Sequence, residues 1–162
     1  MPSHLRDSGF FLEIFSGTAN LTAAMRAAGW QVLPPVDIVL SPEVIEKTDV
    51  TDPEVFGKLE AWIRSGVVRY VHFGTPCSSF SLARKLDGGP PPLRSDDHPA
   101  GLPHLRDHDQ QKVELGNRLA SLTVQLCQAV PPTGMWSIES PASSRLWMQS
   151  CMQALQPHHV GL

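Results

Sequence analysis

Three short segments carry residue types suited to chemistry. The first is Gly74-Thr75-Pro76-Cys77-Ser78-Ser79-Phe80-Ser81, directly after the apolar run Val71-His72-Phe73. That run reads as a buried strand, so Cys77 falls just past a strand end, held by a proline and followed by small polar residues. Open α/β sheets keep their reactive groups at the carboxyl ends of strands. A thiol placed there acts as a nucleophile once it has lost its proton. The plainer reading is a structural cysteine, because free cysteine usually packs as a small hydrophobe. The second segment, Gly134-Met135-Trp136-Ser137-Ile138-Glu139-Ser140-Pro141, reads as a strand ending in a carboxylate. If both strands belong to one parallel sheet, Glu139 and Cys77 open onto the same crevice; a lone glutamate at a strand end is otherwise a solvated charge. The third, Ser16-Gly17-Thr18-Ala19-Asn20, is a turn of small residues that lets a ligand approach the backbone.

The elements that must position these residues are legible as an α/β alternation. Phe10 to Phe15 is strand-like, and Leu21 to Trp30 is rich in helix formers and stops at Gly29, a C-cap residue. Strand, small-residue turn and helix open a nucleotide-binding βα unit, with the positive end of the helix facing the ligand. The turn lacks a full G-x-G-x-x-G pattern, so it also fits any βα connection. Asp37 lies about where a second strand ends, roughly 20 residues beyond the turn, where such units place an acid on a ribose; it equally suits a turn cap. Thr51-Asp52-Pro53-Glu54 is a helix start, predicting a helix over residues 53–65 capped by Asp49 or Asp52. From His108, the residues Val113, Leu115, Leu119, Leu122, Leu126 and Val130 form an apolar stripe ended by Pro131-Pro132. A further helix is expected from Ser143 to Leu155, with Leu146, Trp147 and Leu155 inward. His159 to Leu162 reads as the start of another strand.

Between Cys77 and the long helix runs an irregular stretch, residues 83–107, containing Gly88-Gly89-Pro90-Pro91-Pro92. A loop of that length is a functional lid or a disordered segment. Arg84, Lys85, Arg94 and Arg106 suit either phosphate contacts or a solvated loop. His98, His104 and His108, with Asp97, Asp107 and Asp109, match no strong zinc spacing, and no metal is expected.

At 162 residues and 41% hydrophobic content the chain suits a single domain with a real core. A net charge of −3 gives no overall electrostatic case for nucleic acid. Three widely spaced cysteines, Cys77, Cys127 and Cys151, argue against a disulfide framework, and Cys127 and Cys151 read as packing residues. With no signal peptide and no apolar run long enough to span a bilayer, an intracellular location, cytoplasmic or nuclear, is expected.

Together, the three segments resemble the cytosine-5 DNA methyltransferase family over roughly residues 10 to 150. Phe11 to Asn20 looks like the family's Phe-x-Asp-Leu-Phe-Ala-Gly-x-Gly-Gly opening. Pro76-Cys77-Ser78-Ser79-Phe80-Ser81 is similar to its Pro-Cys-Gln-x-Phe-Ser nucleophile segment, and Glu139-Ser140-Pro141 stands where Glu-Asn-Val belongs. The departures are Glu13 for aspartate, Thr18-Ala19-Asn20 for a glycine-rich turn, Ser78 for glutamine, and Ser140-Pro141 for Asn-Val. They mark a divergent branch.

The resemblance implies a three-layer, Rossmann-like methyltransferase fold with a mostly parallel sheet, and S-adenosylmethionine as cofactor. It implies that Phe15 packs on the adenine and that Gly17 admits the methionine part. Asp37 would take the ribose hydroxyls and Asp49 the adenine amino group, with Ser16, Thr18 and Pro76 in the same pocket. Cys77 would be the nucleophile, Glu139 the partner of ring nitrogen 3, and the loop after Cys77 would close over a flipped base. The substrate would be cytosine in DNA, or in RNA, as in one branch of the family. The family continues past this point with a Gln-x-Arg-x-Arg segment, a target-recognition region and a final helix, so the resemblance implies a C-terminally truncated catalytic domain. A non-catalytic remnant that binds cofactor or a protein partner is the competing expectation.

Overall fold

The computed structural model describes residues 9–82 and 89–155. These residues form two compact units, which are taken in turn: a sheet unit of residues 9–75 and 125–139, and a loop unit of residues 76–82, 89–124 and 140–155. The segment 83–88, with Arg84 and Lys85, and the strand expected at His159 to Leu162 lie outside the described residues. Among the described residues no helix is long and apolar enough to cross a membrane.

The sheet unit is an all-parallel α/β sheet of four strands. They are β1 (Phe10–Ile14), β2 (Gln31–Val32), β3 (Val68–Phe73) and β4 (Met135–Ile138), in the order β2-β1-β3-β4. α1 (Asn20–Ala27) connects β1 to β2, and α2 (Pro53–Arg64) connects β2 to β3. The β1-to-β2 and β2-to-β3 connections run in opposite directions across the sheet. Right-handed crossovers therefore put α1 and α2 on opposite faces. Side chains two apart on a strand share a face. The α1 face carries Phe11 and Tyr70, which are register partners and stack edge-on at 5.1 Å; Met25 and Trp30 complete this buried cluster. The opposite face carries Leu12, Ile14, Val71 and Phe73, all fully buried.

Local chemistry explains the element ends. α1 stops where Gly29 takes φ 88°, a left-handed conformation suited to glycine. α2 begins at Pro53 because the Asp52 carboxylate accepts from the Glu54 and Val55 N–H groups at 2.8 and 3.2 Å. Asp49, the other candidate cap, instead accepts from the Thr51 backbone and hydroxyl, both at 2.8 Å. β2 is only two residues long because Pro34-Pro35 cannot donate to a ladder; contact with β1 resumes as a single bridge between Ile14 and Val36.

In the loop unit, Arg94 organises the chain. It is 2% exposed, and each of its five N–H groups finds a neutral acceptor. These are Ser79 O and Oγ, Pro99 O, Val113 O and Asn117 Oδ1, and the guanidinium also lies 3.8 Å over the Phe80 ring. Burial lowers its pKa to about 10. Arg94 is thus a buried rivet between the segment after Cys77 and the long helix, not the phosphate-contacting loop residue that composition allowed. Arg106, the fourth basic residue, pairs with Asp109 at 2.8 Å.

The long helix α3 (Asp107–Ala129) starts and stops where expected. Its buried line runs through Val113, Ala120, Val124 and Cys127, and Leu115 departs from the expected stripe at 51% exposed because it lies two residues, about 200° of turn, from Val113. The helix expected from Ser143 to Leu155 is instead two pieces, a 3-10 turn (Arg145–Met148) and α4 (Ser150–Gln153). They are separated at Gln149, whose ψ of 133° is extended. Gln149 spends its side chain on Pro99 O at 2.6 Å, and the tertiary bond wins over helix continuity. Leu146 is fully buried as expected, whereas Trp147 and Leu155 are half-buried.

Candidate functional site

The carboxyl ends of β1, β3 and β4 lie side by side in the sheet unit, and most of the predicted site residues collect there. After β1 the chain coils tightly: Phe15, Gly17 and Ala19 have φ of 59°, 54° and 55°. Phe15 and Ala19 bear the steric cost of that region, whereas Gly17 does not. The Phe15 and Ser16 N–H groups both donate to Val36 O, at 2.9 and 3.2 Å, tying the turn to the bridge residue beyond β2. The Gly17 N–H donates to Asp37 Oδ2 at 2.8 Å, and the Val39 N–H to Asp37 Oδ1 at 2.8 Å. Asp37 is therefore a turn cap, one of the two expectations for it, and its second oxygen ties it to the β1 turn.

Two features of this turn concern a ligand. The Ser16 hydroxyl is buried with no hydrogen-bond partner among the described residues, in a residue only 9% exposed. Beside it, a Cβ added to Gly17 would meet nothing within 4 Å, so the backbone there faces open space. Thr18, next in line, is exposed. A buried hydroxyl without a partner is costly, and native proteins leave few of them.

The N-terminus of α1 is capped from the sheet. Ala19 has no capping side chain; the buried carboxylate of Glu13 on β1, 6% exposed, accepts from the Thr22 N–H at 2.7 Å and from the Thr22 hydroxyl. A carboxylate suits the positive end of a helix. The run Phe-Phe-Leu-Glu-Ile-Phe signals this in retrospect, since an acid inside a buried strand needs a partner.

Across the same face, Glu13, His72 and Ser137 are register partners on three adjacent strands. His72 Nδ1 lies 2.8 Å from Ser137 Oγ, which also lies 2.9 Å from the Tyr70 hydroxyl. Burial pushes the His72 imidazole below its usual value, against the opposing pull of Glu13 and then Glu139. Two residues further along these strands stand Gly74 and Glu139. Gly74 is required because a Cβ there would lie 2.6 Å from Phe15 O. The Glu139 N–H donates to Phe73 O at 2.8 Å, extending the β4 ladder, while its carboxylate is exposed and has no partner among the described residues.

Pro76 and Cys77 open the loop unit, immediately after Thr75 ends β3's exit. Cys77 is a half-buried free thiol whose carbonyl accepts from the Phe80 N–H at 2.8 Å, closing a turn that Arg94 grips at Ser79 and Phe80. Cys127 is fully buried, and desolvation pushes its thiol far up, which makes it inert; Cys151 is half-buried. Asp49 follows Thr48, whose N–H donates to Asp37 O at 2.8 Å, and its carboxylate already holds the Thr51 bonds. A cavity of about 360 Å³ is walled by Val36 and Thr48, the chain neighbours of Asp37 and Asp49, together with Pro34, Ile45, Leu59 and Trp62, and none of the predicted cofactor residues is itself in its lining. Among the described residues no three metal-ligating side chains converge. The chain matches no protein-family model, no curated protein and no solved structure.

Proposed function

We propose that the sheet unit binds S-adenosylmethionine and that the chain is the catalytic part of a Rossmann-like cytosine-5 methyltransferase acting on DNA. The observation that carries the reading is the β1 turn: the unpartnered Ser16 hydroxyl, the open side of Gly17 and the Asp37 carboxylate stand together at the carboxyl edge of a parallel sheet. That edge is where open α/β sheets bind nucleotides. The donor set fits the group. Ser16 and the Asn20 and Leu21 N–H groups, which precede the one that Glu13 takes, suit the methionine carboxylate, Asp37 the ribose hydroxyls, and Phe15 the adenine. When bound, the cofactor supplies an electrophilic methyl group on a sulfonium sulfur.

The residues then have distinct tasks. Cys77, as thiolate, adds to carbon 6 of the pyrimidine, and the ring's electrons make carbon 5 nucleophilic. Glu139 in its protonated form donates to ring nitrogen 3 and stabilises the charge that develops there. After carbon 5 takes the methyl group, its proton leaves to a base, the carbon 6–sulfur bond breaks and the Cys77 thiolate is regenerated. In duplex DNA the base must first leave the stack, at a cost of a few kcal/mol.

Calorimetric titration with S-adenosylmethionine tests the pocket: saturable binding that Asp37→Ala weakens about tenfold supports it, and no binding by folded protein refutes it. Incubation with cofactor and 5-fluorocytosine DNA tests the chemistry. The expected result is a mass-shifted adduct on Cys77 that Cys77→Ser abolishes. An adduct with fluorocytosine RNA and none with DNA assigns the RNA substrate. Cofactor binding without either adduct assigns a non-catalytic role.

A further inference from the structure

The turn that bears Cys77 is held from outside itself. Cys77 is a half-buried free thiol, and the bond that closes its turn runs from the Phe80 N–H to the Cys77 carbonyl at 2.8 Å. Ser79 and Phe80, which complete the turn, are 5% and 0% exposed. Arg94 reaches both. Its Nε donates to Ser79 O and its Nη2 to Ser79 Oγ, each at 3.1 Å, and its guanidinium carbon lies 3.8 Å over the Phe80 ring. Its other bonds run to Pro99 O and Asn117 Oδ1, both at 2.7 Å, and to Val113 O at 3.1 Å. Asn117 is fixed in its turn by donating to Ala100 O at 2.9 Å. All five acceptors are neutral oxygens, so Arg94 acts through the rigid plane of its donors and not through an ion pair. The Cys77 turn is thereby set in one place relative to Val113 and Asn117 of α3 and to residues 99–100, all within the loop unit.

Covalent addition asks more of a thiol than access. The sulfur must stand roughly 3–3.5 Å from the carbon it attacks, and a misplacement of about 1 Å costs on the order of a hundredfold in rate. We infer that Arg94 is a positioning residue for Cys77: its guanidinium fork fixes the Ser79-Phe80 end of the turn and so fixes the nucleophile at the other end. The catalytic half of this role rests on the part proposed for Cys77; the hold on the turn does not. Lysine retains the charge and loses the planar fork, so Arg94→Lys separates orientation from electrostatics.

Alkylation by iodoacetamide, followed residue by residue with peptide mass spectrometry, reads the hold on the turn without any nucleic acid. Cys151 is the comparator: it too is a half-buried free thiol of the loop unit, and no Arg94 bond ends on its segment. In Arg94→Lys the rate at Cys77 rises about tenfold, the scale of one lost hydrogen bond to a charged group, while the rate at Cys151 stays within about twofold. Ser79→Ala removes one acceptor, leaves the other four, and gives a rise of about threefold at Cys77; it serves if Arg94→Lys does not fold. An equal rise at both cysteines makes Arg94 a general stabiliser, and an unchanged Cys77 rate in both variants means that the turn holds itself; either result overturns the inference. The rate of Cys77 adduct formation at saturating fluorocytosine DNA, taken per folded molecule, reads the catalytic half. It falls about tenfold in Arg94→Lys and by less in Ser79→Ala, at an unchanged half-saturating DNA concentration. A rate per folded molecule equal to that of the unaltered protein removes the positioning role. Selective alkylation of Cys77 in a protein that forms no adduct refutes the methyltransferase reading and leaves the hold of Arg94 on the turn standing. Adduct formation with alkylation that does not distinguish the two cysteines does the reverse.

Discussion

Gly116 sits in the interior of α3, where glycine costs about 1 kcal/mol relative to alanine. Helix propensity alone therefore makes Gly116→Ala stabilising. The structure reverses the sign. The added Cβ would lie 2.5 Å from Ser79 Oγ, 3.0 Å from Arg94 Nη2 and 3.3 Å from Phe80 Cε2. None of these can retreat cheaply, because Ser79 and Phe80 are buried and Arg94 is held by five hydrogen bonds. Overpacking of this kind costs about 1–3 kcal/mol, and loosening the Arg94–Ser79 bonds adds about 1 kcal/mol, so a net loss of about 2 kcal/mol is expected. At roughly 2 kcal/mol per molar urea, the unfolding midpoint followed by circular dichroism falls by about 1 M. Gly57, in the interior of α2, is the internal control: a Cβ there meets nothing within 4 Å. Gly57→Ala should raise the midpoint by about 0.5 M. If both substitutions raise it, the Arg94 cluster does not pack as described and the reasoning fails.

Other outcomes follow from the same contacts. Arg94→Lys retains the charge but offers three donors from one point to acceptors on three segments, and should cost about 2–4 kcal/mol in a urea titration. Glu13→Ala removes the acceptor at the start of α1 and should cost about 1–3 kcal/mol by thermal melting, with Glu13→Gln retaining part of the loss because its amide oxygen still accepts. His72 has a folded-state pKa below the unfolded 6.5, so as pH falls from 6.5 the unfolded chain takes up a proton that the folded chain refuses. Stability should therefore fall with pH through that window, and urea midpoints of His72→Gln should show a flatter slope there.

The sequence announced the elements whose signals are local. β1 and β3 read as apolar runs, α1 ended on its glycine, α2 on the Asp52-Pro53 start, and α3 spanned its stripe. Those signals act within a few residues, so no tertiary knowledge was needed. The turn with Ser16, Gly17 and Asp37, and the place of Glu139 at the end of β4, were legible for the same reason: strand ends in a parallel sheet are predictable positions. What stayed hidden was set by contacts distant in sequence. Arg94 looks like any loop arginine until Ser79, Pro99, Val113 and Asn117 surround it. The break at Gln149 depends on Pro99, 50 residues away. The Tyr70–Ser137–His72 chain joins two strands whose pairing no local pattern encodes.

The two edges of the sheet differ in their capacity for growth. β2 offers two residues and then Pro34-Pro35, so it gives an incoming strand almost nothing to bond. β4 is proline-free from Met135 to Ile138 and, among the described residues, has a neighbour on one side only. Extension of this sheet is thus directional: an added strand finds donors and acceptors along β4 and a blunted margin along β2. The same asymmetry makes β4 the edge with the greater capacity for strand pairing, and a lysine introduced on it is a substitution that would suppress such pairing.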